Sequence, residues 1–273
     1  MKKENARCDD MSYTIFVKEG REGNEDSAEF WVGEDIEEHA KLCECQTITP
    51  IFLKYLPKNG RILEAGCGLG RWLIYFSKRG YDIEGIELNE DVLGKIKNFN
   101  SNLKTIRGNI LEMPYEDNSF NAVISLGVIE HSKEGPQKAL KEMYRILKPG
   151  GILLVTVPYL NLMRRLLHIP YQALIVRIRR IQGFNMKFDS YVYTKKEMQA
   201  FLKNTGFEII DVAPDDFIYP KSLGLYTDWT RYLGSRTTKW ELNKFGKVIQ
   251  RILSLFSPWI WSNGILFVAR IRK

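Results

Sequence analysis

The stretch Arg61-Ile62-Leu63-Glu64-Ala65-Gly66-Cys67-Gly68-Leu69-Gly70-Arg71-Trp72 decides the fold of this 273-residue chain. Residues 61–65 read as a short strand. Three alternating glycines follow, and then a run with helical spacing, Arg71–Arg79, closed by Gly80. Glycine lacks a Cβ, so the backbone turns sharply here and approaches a ligand closely. The helix that opens on the turn offers unpaired N–H groups and the positive end of its dipole. Such a turn favours a nucleotide-like ligand or a carboxylate. The spacing narrows the choice. A G-x-G-x-x-G fingerprint needs its third glycine at position 71, which is Arg71; here it falls at 70, giving G-x-G-x-G. A G-x-x-x-x-G-K-[ST] phosphate loop occurs nowhere.

Outward from this turn, strands and helices alternate. Asp82–Glu87 reads as a strand, and Asn89 caps a helix running to about Lys97. Leu103–Arg107 and Phe120–Ser125 are strands. Pro136–Leu147 is a helix with apolar residues at 139, 140, 143, 146 and 147. Lys148-Pro149-Gly150-Gly151 stops it, and Ile152–Val157 is apolar throughout, as in the middle of a parallel sheet. Thr194–Asn204 is helical, and Phe207–Val212 and Ile265–Ile271 are two more strands. On the N-terminal side, a helix or helix pair is expected over 34–56, closed by Pro57 and the Lys58-Asn59-Gly60 turn, with residues 1–30 polar and acidic and loose at the extreme end. The rhythm predicts an α/β fold with helices on both faces of a mainly parallel sheet. Segments 159–193 and 214–262 stand outside it as insertions.

In this context ILEAGCGLGRW resembles motif I of the class I S-adenosylmethionine-dependent methyltransferases. Four further pieces agree in order: Glu87 at the end of the second strand; Gly108-Asn109-Ile110 with MPYEDNSFNAVIS; Leu126-Gly127-Val128-Ile129-Glu130-His131; and LKPGGILLVTVP at 147–158. The likeness covers about 50–158 and, more weakly, the strands at 207–213 and 264–271, and it is of the small-molecule type, similar to the enzymes of quinone biosynthesis and cell-surface glycans. It implies a Rossmann-like three-layer sandwich whose seven-stranded sheet ends in an antiparallel strand. It divides the chain into a covering segment (1–49), a methyltransferase core (50–158, 194–213 and 263–273) and a helical cap (159–193 and 214–262).

The resemblance also implies the site. S-adenosyl-L-methionine is the cofactor. Glu64, Gly66, Cys67, Gly68 and Gly70 line its turn, with Glu64 ordering the turn and countering the cofactor's positive end. Glu87 accepts from the ribose diol, a role that its place beside the glycine turn also suits. Leu88 and Ile110 sandwich the adenine. Asn109 stands where the family usually has Asp; its amide oxygen still accepts from the adenine amino group. Asn121 likewise replaces a frequent Asp. Leu126 offers its carbonyl to the methionine amino group. Arg71 meets a carboxylate or is a surface helix residue. His131, just past the fourth strand, is a general base or a structural histidine that holds its loop; His39 and His168 have no motif around them.

Composition bounds the rest. Residues 151–273 hold 19 Lys and Arg against 8 Asp and Glu, a balance of +11, whereas residues 1–150 balance at −4. The basic half suggests an anionic partner (phosphorylated substrate, membrane surface or nucleic acid) or a solvated basic surface. Segment 159–187 carries Arg164, Arg165, Arg177, Arg179, Arg180 and Lys187 and no acid, with apolar stripes that read as a basic amphipathic helix pair. A second stripe runs Phe245, Val248, Ile249, Ile252, Leu253 and Phe256, followed by Pro258-Trp259-Ile260-Trp261. Either the two stripes pack together as a cap with arginines outward, or a basic, Trp-bearing surface lies on anionic lipid. The start MKKENARCDD has no apolar run, and no stretch reaches about 18 apolar residues, so a cytoplasmic protein, at most peripheral to a membrane, is expected. Cys43 and Cys45 are too tightly spaced for a zinc knuckle and have no second pair, so no metal is expected.

The expected acceptor is a small molecule or a lipid- or glycan-linked intermediate, anionic in one reading. A nucleic-acid, including RNA, methyltransferase is the alternative. Against it, Ser125-Leu126-Gly127-Val128 replaces the N/D-P-P-Y/F run of adenine-N6 enzymes, and no cysteine follows Cys67 to serve as a cytosine-C5 nucleophile. A nicotinamide oxidoreductase conflicts with the misplaced third glycine. A binding protein that keeps the cofactor pocket without turnover stays open.

Overall fold

The computed structural model describes residues 12–18, 35–216, 224–238 and 240–272. In chain order the elements are β1 (Tyr13–Lys18), α1 (Ile36–Leu42), α2 (Thr49–Tyr55), β2 (Ile62–Ala65), α3 (Arg71–Ser77), β3 (Ile83–Glu87), α4 (Glu90–Phe99), β4 (Thr105–Arg107), β5 (Phe120–Leu126), α5 (Gln137–Ile146), β6 (Leu147–Pro158), α6 (Ile169–Ile181), β7 (Met186–Val192), α7 (Lys195–Thr205), β8 (Phe207–Asp215), α8 (Gly224–Leu233), α9 (Lys244–Leu253) and β9 (Gly264–Ile271).

Seven strands form one sheet in the order β4-β3-β2-β5-β6-β9-β8. Its first five strands are parallel, and β9 runs antiparallel between β6 and β8. This is the expected Rossmann-like sandwich with an antiparallel last strand. Strand order reverses between β2 and β5, which opens a crevice at their carboxyl ends. Because β8 opposes β9, its carboxyl end at Asp215 lies on the same edge, in register with Gly264 and, one strand further, Pro158.

Alternation along the strands sorts the core into two layers. Leu63, Ala65, Val123, Leu153 and Val155 face Leu140, Met143, Met198 and Leu202 of α5 and α7. Ile62, Ile124 and Leu154 face Phe52, Trp72, Phe76 and Ile96 on the other side. Trp72 lies between Phe52 and Phe76, with ring centroids at 4.6 and 5.6 Å, which fixes α3 against α2. Thr194 and Glu197 form a capping box that starts α7, and Gly206 ends it at φ +105.

Segment 159–193 departs from the expected helix pair. Arg164–His168 form a wide π turn that runs straight into α6, and Pro170, which has no N–H to give the preceding turn, follows as the second residue of α6. The segment ends in a strand, β7, which pairs antiparallel with β1. The insertion is therefore not wholly helical, and part of the segment 1–49 expected to be helical or loose is a strand. The residues explain it: Tyr13-Thr14-Ile15-Phe16-Val17-Lys18 is β-branched and aromatic and finds in Met186–Val192 a partner from 168 or more residues away. The rest of the expected loose start, and Glu34 at the head of the expected helix, lie outside the described residues.

Candidate active site

The glycine turn is hung on β3. Gly66 and Cys67 donate their N–H groups to the Ile86 carbonyl at 2.9 and 3.0 Å, and Gly70 closes the turn on the Cys67 carbonyl at 2.8 Å. Gly66, Gly68 and Gly70 all have positive φ (78, 50 and 71°), a region open to glycine at little cost. At Gly66 space matters as well: a Cβ there would meet Val128 Cγ2 at 2.6 Å. β2 and the loop after β5 therefore close on each other only through this glycine.

Two buried carboxylates bracket the turn. Glu87 Oε2 accepts the Gly68 N–H at 2.9 Å, and Oε1 accepts those of Leu88 and Asn89 at 2.8 and 2.9 Å. Glu64 Oε2 accepts the Leu73 N–H at 2.7 Å, at the amino end of α3, and so orders the turn from beneath. Burial wins over these donors: it pushes the Glu64 carboxyl up to about 8, against the lowering influence of the Leu73 N–H and the Arg71 guanidinium. Cys67 is buried, and burial raises its thiol well above the usual range, so it is a neutral wall of the turn. Burial likewise pushes the Cys43 thiol up to about 12, and that thiol donates to the Arg71 carbonyl at 3.6 Å while Cys45 is exposed.

The other expected residues gather at the same carboxyl edge. Leu88 is 50% exposed, Ile110 half-buried and Asn109 exposed. Asn109 Oδ1 already accepts the Leu111 N–H at 2.9 Å and keeps a second lone pair. Leu126 ends β5, half-buried, and Arg71 opens α3, also half-buried. Asn121 lies away from this edge, where its Oδ1 accepts from Arg61 N and Lys148 Nζ. His131 Nδ1 lies 3.1 Å from the Asp189 carbonyl on β7. A carbonyl only accepts, so Nδ1 carries the proton and the neutral ring leaves Nε2 as its basic nitrogen. That bond also holds the loop to β7. His39 and His168 are buried; burial lowers the His168 pKa, and its ring sits edge-on to Trp229 at 5.5 Å.

The cap corrects the expectation of two stripes packed together with arginines outward. Arg164 does not face outward: it is buried, and its Nε and Nη2 each donate to Asp228 at 2.7 Å while Nη1 reaches the Tyr159 and Asn263 carbonyls at 3.1 and 2.6 Å. Trp259 and Trp261 are both half-buried. Trp259 packs edge-on to Tyr159 at 5.7 Å and the Trp261 Nε1 is buried. Nor do the two apolar stripes bury each other: Leu174, Ile178 and Ile181 on α6, and Phe245, Val248 and Ile252 on α9, all stay exposed.

One edge residue had no motif to mark it. Asp215 ends β8 with its side chain beside Gly264, and burial pushes its carboxyl up to about 6 against the influence of Arg71. Its only sequence signal is an acid at the end of a strand that also holds Glu208 and Asp211, which is too common to single out. No helix among the described residues is long and apolar enough to cross a membrane.

Known proteins agree with this geometry. A family model described as a methyltransferase domain matches residues 36–212. Demethylmenaquinone methyltransferase of Staphylococcus aureus is 38% identical over 102 residues, which are 35% of this chain and 42% of that protein. The chain thus spans less than half the length of the curated relatives it matches. Among solved structures, an S-adenosylmethionine-dependent methyltransferase from Methanosarcina mazei superposes with a TM-score of 0.57 at 18% identity, covering 81% of this chain and 97% of its own. One from Mesorhizobium loti does so at 0.53 and 15%, covering 86% and 100%. These two show the shared fold. With the family model matched across the glycine turn, both sheet halves and the loop bearing His131, the chain belongs to the methyltransferase-domain family, the S-adenosylmethionine-dependent class I enzymes that its motifs resemble.

Proposed function

We propose that this chain transfers the methyl group of S-adenosyl-L-methionine to a small molecule or to a lipid- or glycan-linked intermediate. The observation that carries the cofactor half is the Glu87 bond to Gly68, which places an acid at the lip of a glycine turn. Three of the carboxylate's roughly four acceptor positions are used internally, which leaves one on Oε2 for a ribose hydroxyl. Glu64 fits the cofactor's charge: a carboxyl raised by burial gains from a cation nearby. Leu88 and Ile110 offer apolar contact for the adenine, Asn109 its amide oxygen, and Leu126 its carbonyl for the methionine amino group. Arg71, on the turn's helix, faces a carboxylate.

S-adenosylmethionine supplies an already activated sulfonium methyl, so the chain's main contribution is alignment of the acceptor. Where the acceptor is a hydroxyl or a protonated amine, His131 takes the proton on Nε2, oriented by its Nδ1–H bond to Asp189. The menaquinone relatives support an apolar, ring-bearing acceptor. The three described cysteines are all free thiols, in keeping with a cytoplasmic setting, and the uncovered basic cap is in keeping with work beside a membrane.

Calorimetric titration tests the cofactor. Heat with S-adenosylmethionine and S-adenosylhomocysteine is expected; heat only with a nicotinamide nucleotide would overturn the reading. Labelled-methyl transfer to a demethylated quinone, the acceptor class named for the relatives, then tests the acceptor. A protein that binds the cofactor but methylates neither quinone, glycan nor lipid substrates is a binding module instead.

A further inference from the structure

We infer that the outer face of α6 is a docking surface for an anionic lipid bilayer, and that it brings the mouth of the cleft to that bilayer. Sixteen large apolar side chains stay exposed among the described residues, and thirteen of them lie between Leu162 and Phe256, in the cap. On α6 no residue is buried at all. Leu174, Ile178 and Ile181 stand 56, 40 and 78% exposed, at spacings of four, three and seven that put them on one stripe. Arg177 lies within that stripe and is itself exposed. A helix with an apolar stripe, cations beside it and no acid is built to lie in a bilayer interface, with apolar side chains at acyl depth and guanidinium groups among phosphates.

Charge decides the occupant. Residues 159–187 hold six cations and no acid. Arg164 is consumed by Asp228, and Arg180 leans on the Phe16 ring at 5.2 Å, but Arg165, Arg177 and Arg180 are all exposed. A second copy of the same face would bring like charges together around its apolar stripe, which a two-fold contact makes self-opposing. A nucleic acid would satisfy the arginines but not the leucine and isoleucine side chains, and the one aromatic residue of α6, Tyr171, is already packed on Trp229 at 5.5 Å. An anionic bilayer satisfies both.

The lobe is continuous with the site. Its chain leaves the carboxyl edge at Asn161, whose side chain bonds the Ser262 carbonyl at 2.8 Å, and returns through β7 to the Asp189 carbonyl that holds His131. Trp229 of α8 takes His168 and Tyr171 on one side, while α8 packs on Ile249 and Leu253 of α9. The second stripe, on α9, is exposed beside Lys244 and Arg251 and extends the same apolar, basic character. Only the last step, entry of a lipid-borne acceptor beside His131, rests on the methyl-transfer reading.

Co-sedimentation of the full chain with vesicles tests the surface. Expected is binding to phosphatidylcholine–phosphatidylglycerol vesicles at low salt, weakening as salt rises, and far less binding to phosphatidylcholine alone. Arg177→Gln is expected to weaken binding about fivefold, the scale of one cation at an anionic surface. Leu174→Ser with Ile178→Ser, both exposed and so neutral to folding, is expected to abolish it with the melting temperature unchanged. No binding of the wild type at low salt overturns the inference. So does unchanged binding by the double variant, a dimer that the double variant dissociates in place of vesicle binding, or retention on RNA but not on vesicles. S-adenosylhomocysteine titration of the same samples separates the two readings: titration without vesicle binding removes only the surface, and vesicle binding without titration removes only the cofactor assignment.

Discussion

The Glu87 carboxylate accepts the Gly68 N–H at 2.9 Å, so the acid at the end of β3 holds the middle of the glycine turn that follows β2. The two features that identify the cofactor site in the sequence, nineteen residues apart, are one hydrogen-bonded unit. Glu87→Ala removes the ribose acceptor and a support of the turn together. Cofactor affinity is expected to fall by about 1–3 kcal/mol, the scale of a lost charge-assisted bond. Calorimetric titration reads it, and an unchanged affinity would place the cofactor elsewhere.

Gly66 is constrained twice, by its φ of +78° and by Val128 at 2.6 Å from the position of a Cβ. Gly66→Ala is expected to lower stability by about 1–3 kcal/mol through strain and clash. Val128→Ala in the same chain is expected to restore only part, because it relieves the clash and leaves the backbone strained. Thermal melts of the three variants check this; full restoration would remove backbone strain from the account.

Arg164 and Asp228 form a two-pronged pair with side chains 7 and 15% exposed. Asp228→Ala strands a buried guanidinium and is expected to cost about 3–5 kcal/mol. Arg164→Met combined with Asp228→Leu is expected to cost clearly less, because no charge stays behind. Denaturant melts decide, and equal losses in the two variants would mean that packing, not charge, sets the cost.

Glu64 makes stability depend on pH. Its carboxyl is raised by burial to about 8 from an ordinary value of 4.5, so between these limits the folded state binds more protons than the unfolded one. The Glu64 contribution to the stability of the ligand-free protein is therefore fully present below about 4.5 and is lost as pH rises toward 8. Asp215, raised to about 6 from 3.8, acts in the same direction over a lower window. Glu64→Gln is expected to flatten the upper part of the profile, as read by melting temperature against pH. A profile unchanged in Glu64→Gln would mean that the carboxylate stays charged throughout.

His131→Gln separates the two roles its position allows. As a base it is expected to lower kcat by about 10²-fold or more with cofactor affinity unchanged. A purely structural histidine would instead show in the melting temperature, through loss of the bond to Asp189 on β7.

The sheet and the cofactor turn were legible in the sequence because both rest on local signals. A strand announces itself by side-chain composition, a helix by three–four spacing, and a turn by glycine, each within about ten residues. Glu87 and Gly66 were found this way, though not the bond between Glu87 and Gly68. The cap was less legible. Its stripes suggested helices that cover each other, and Trp259 and Trp261 suggested an outer face. In the fold Trp259 is half-buried with one edge against Tyr159, and Arg164 turns inward to Asp228. Burial of a given aromatic or arginine depends on what stands opposite it, which no periodicity encodes.

The amino-acid sequence by itself determined the α/β alternation, the glycine turn with its acid at 87, and the asymmetry of charge between the two halves, because each follows from residue type and near spacing. Only the tertiary structure decided that Tyr13–Lys18 pairs with Met186–Val192, that Asp215 shares the edge with Pro158 and Gly264, and that no residue of α6 is buried. Those relations join residues far apart along the chain, and their energies come from burial and hydrogen bonding that exist only once the two ends have met.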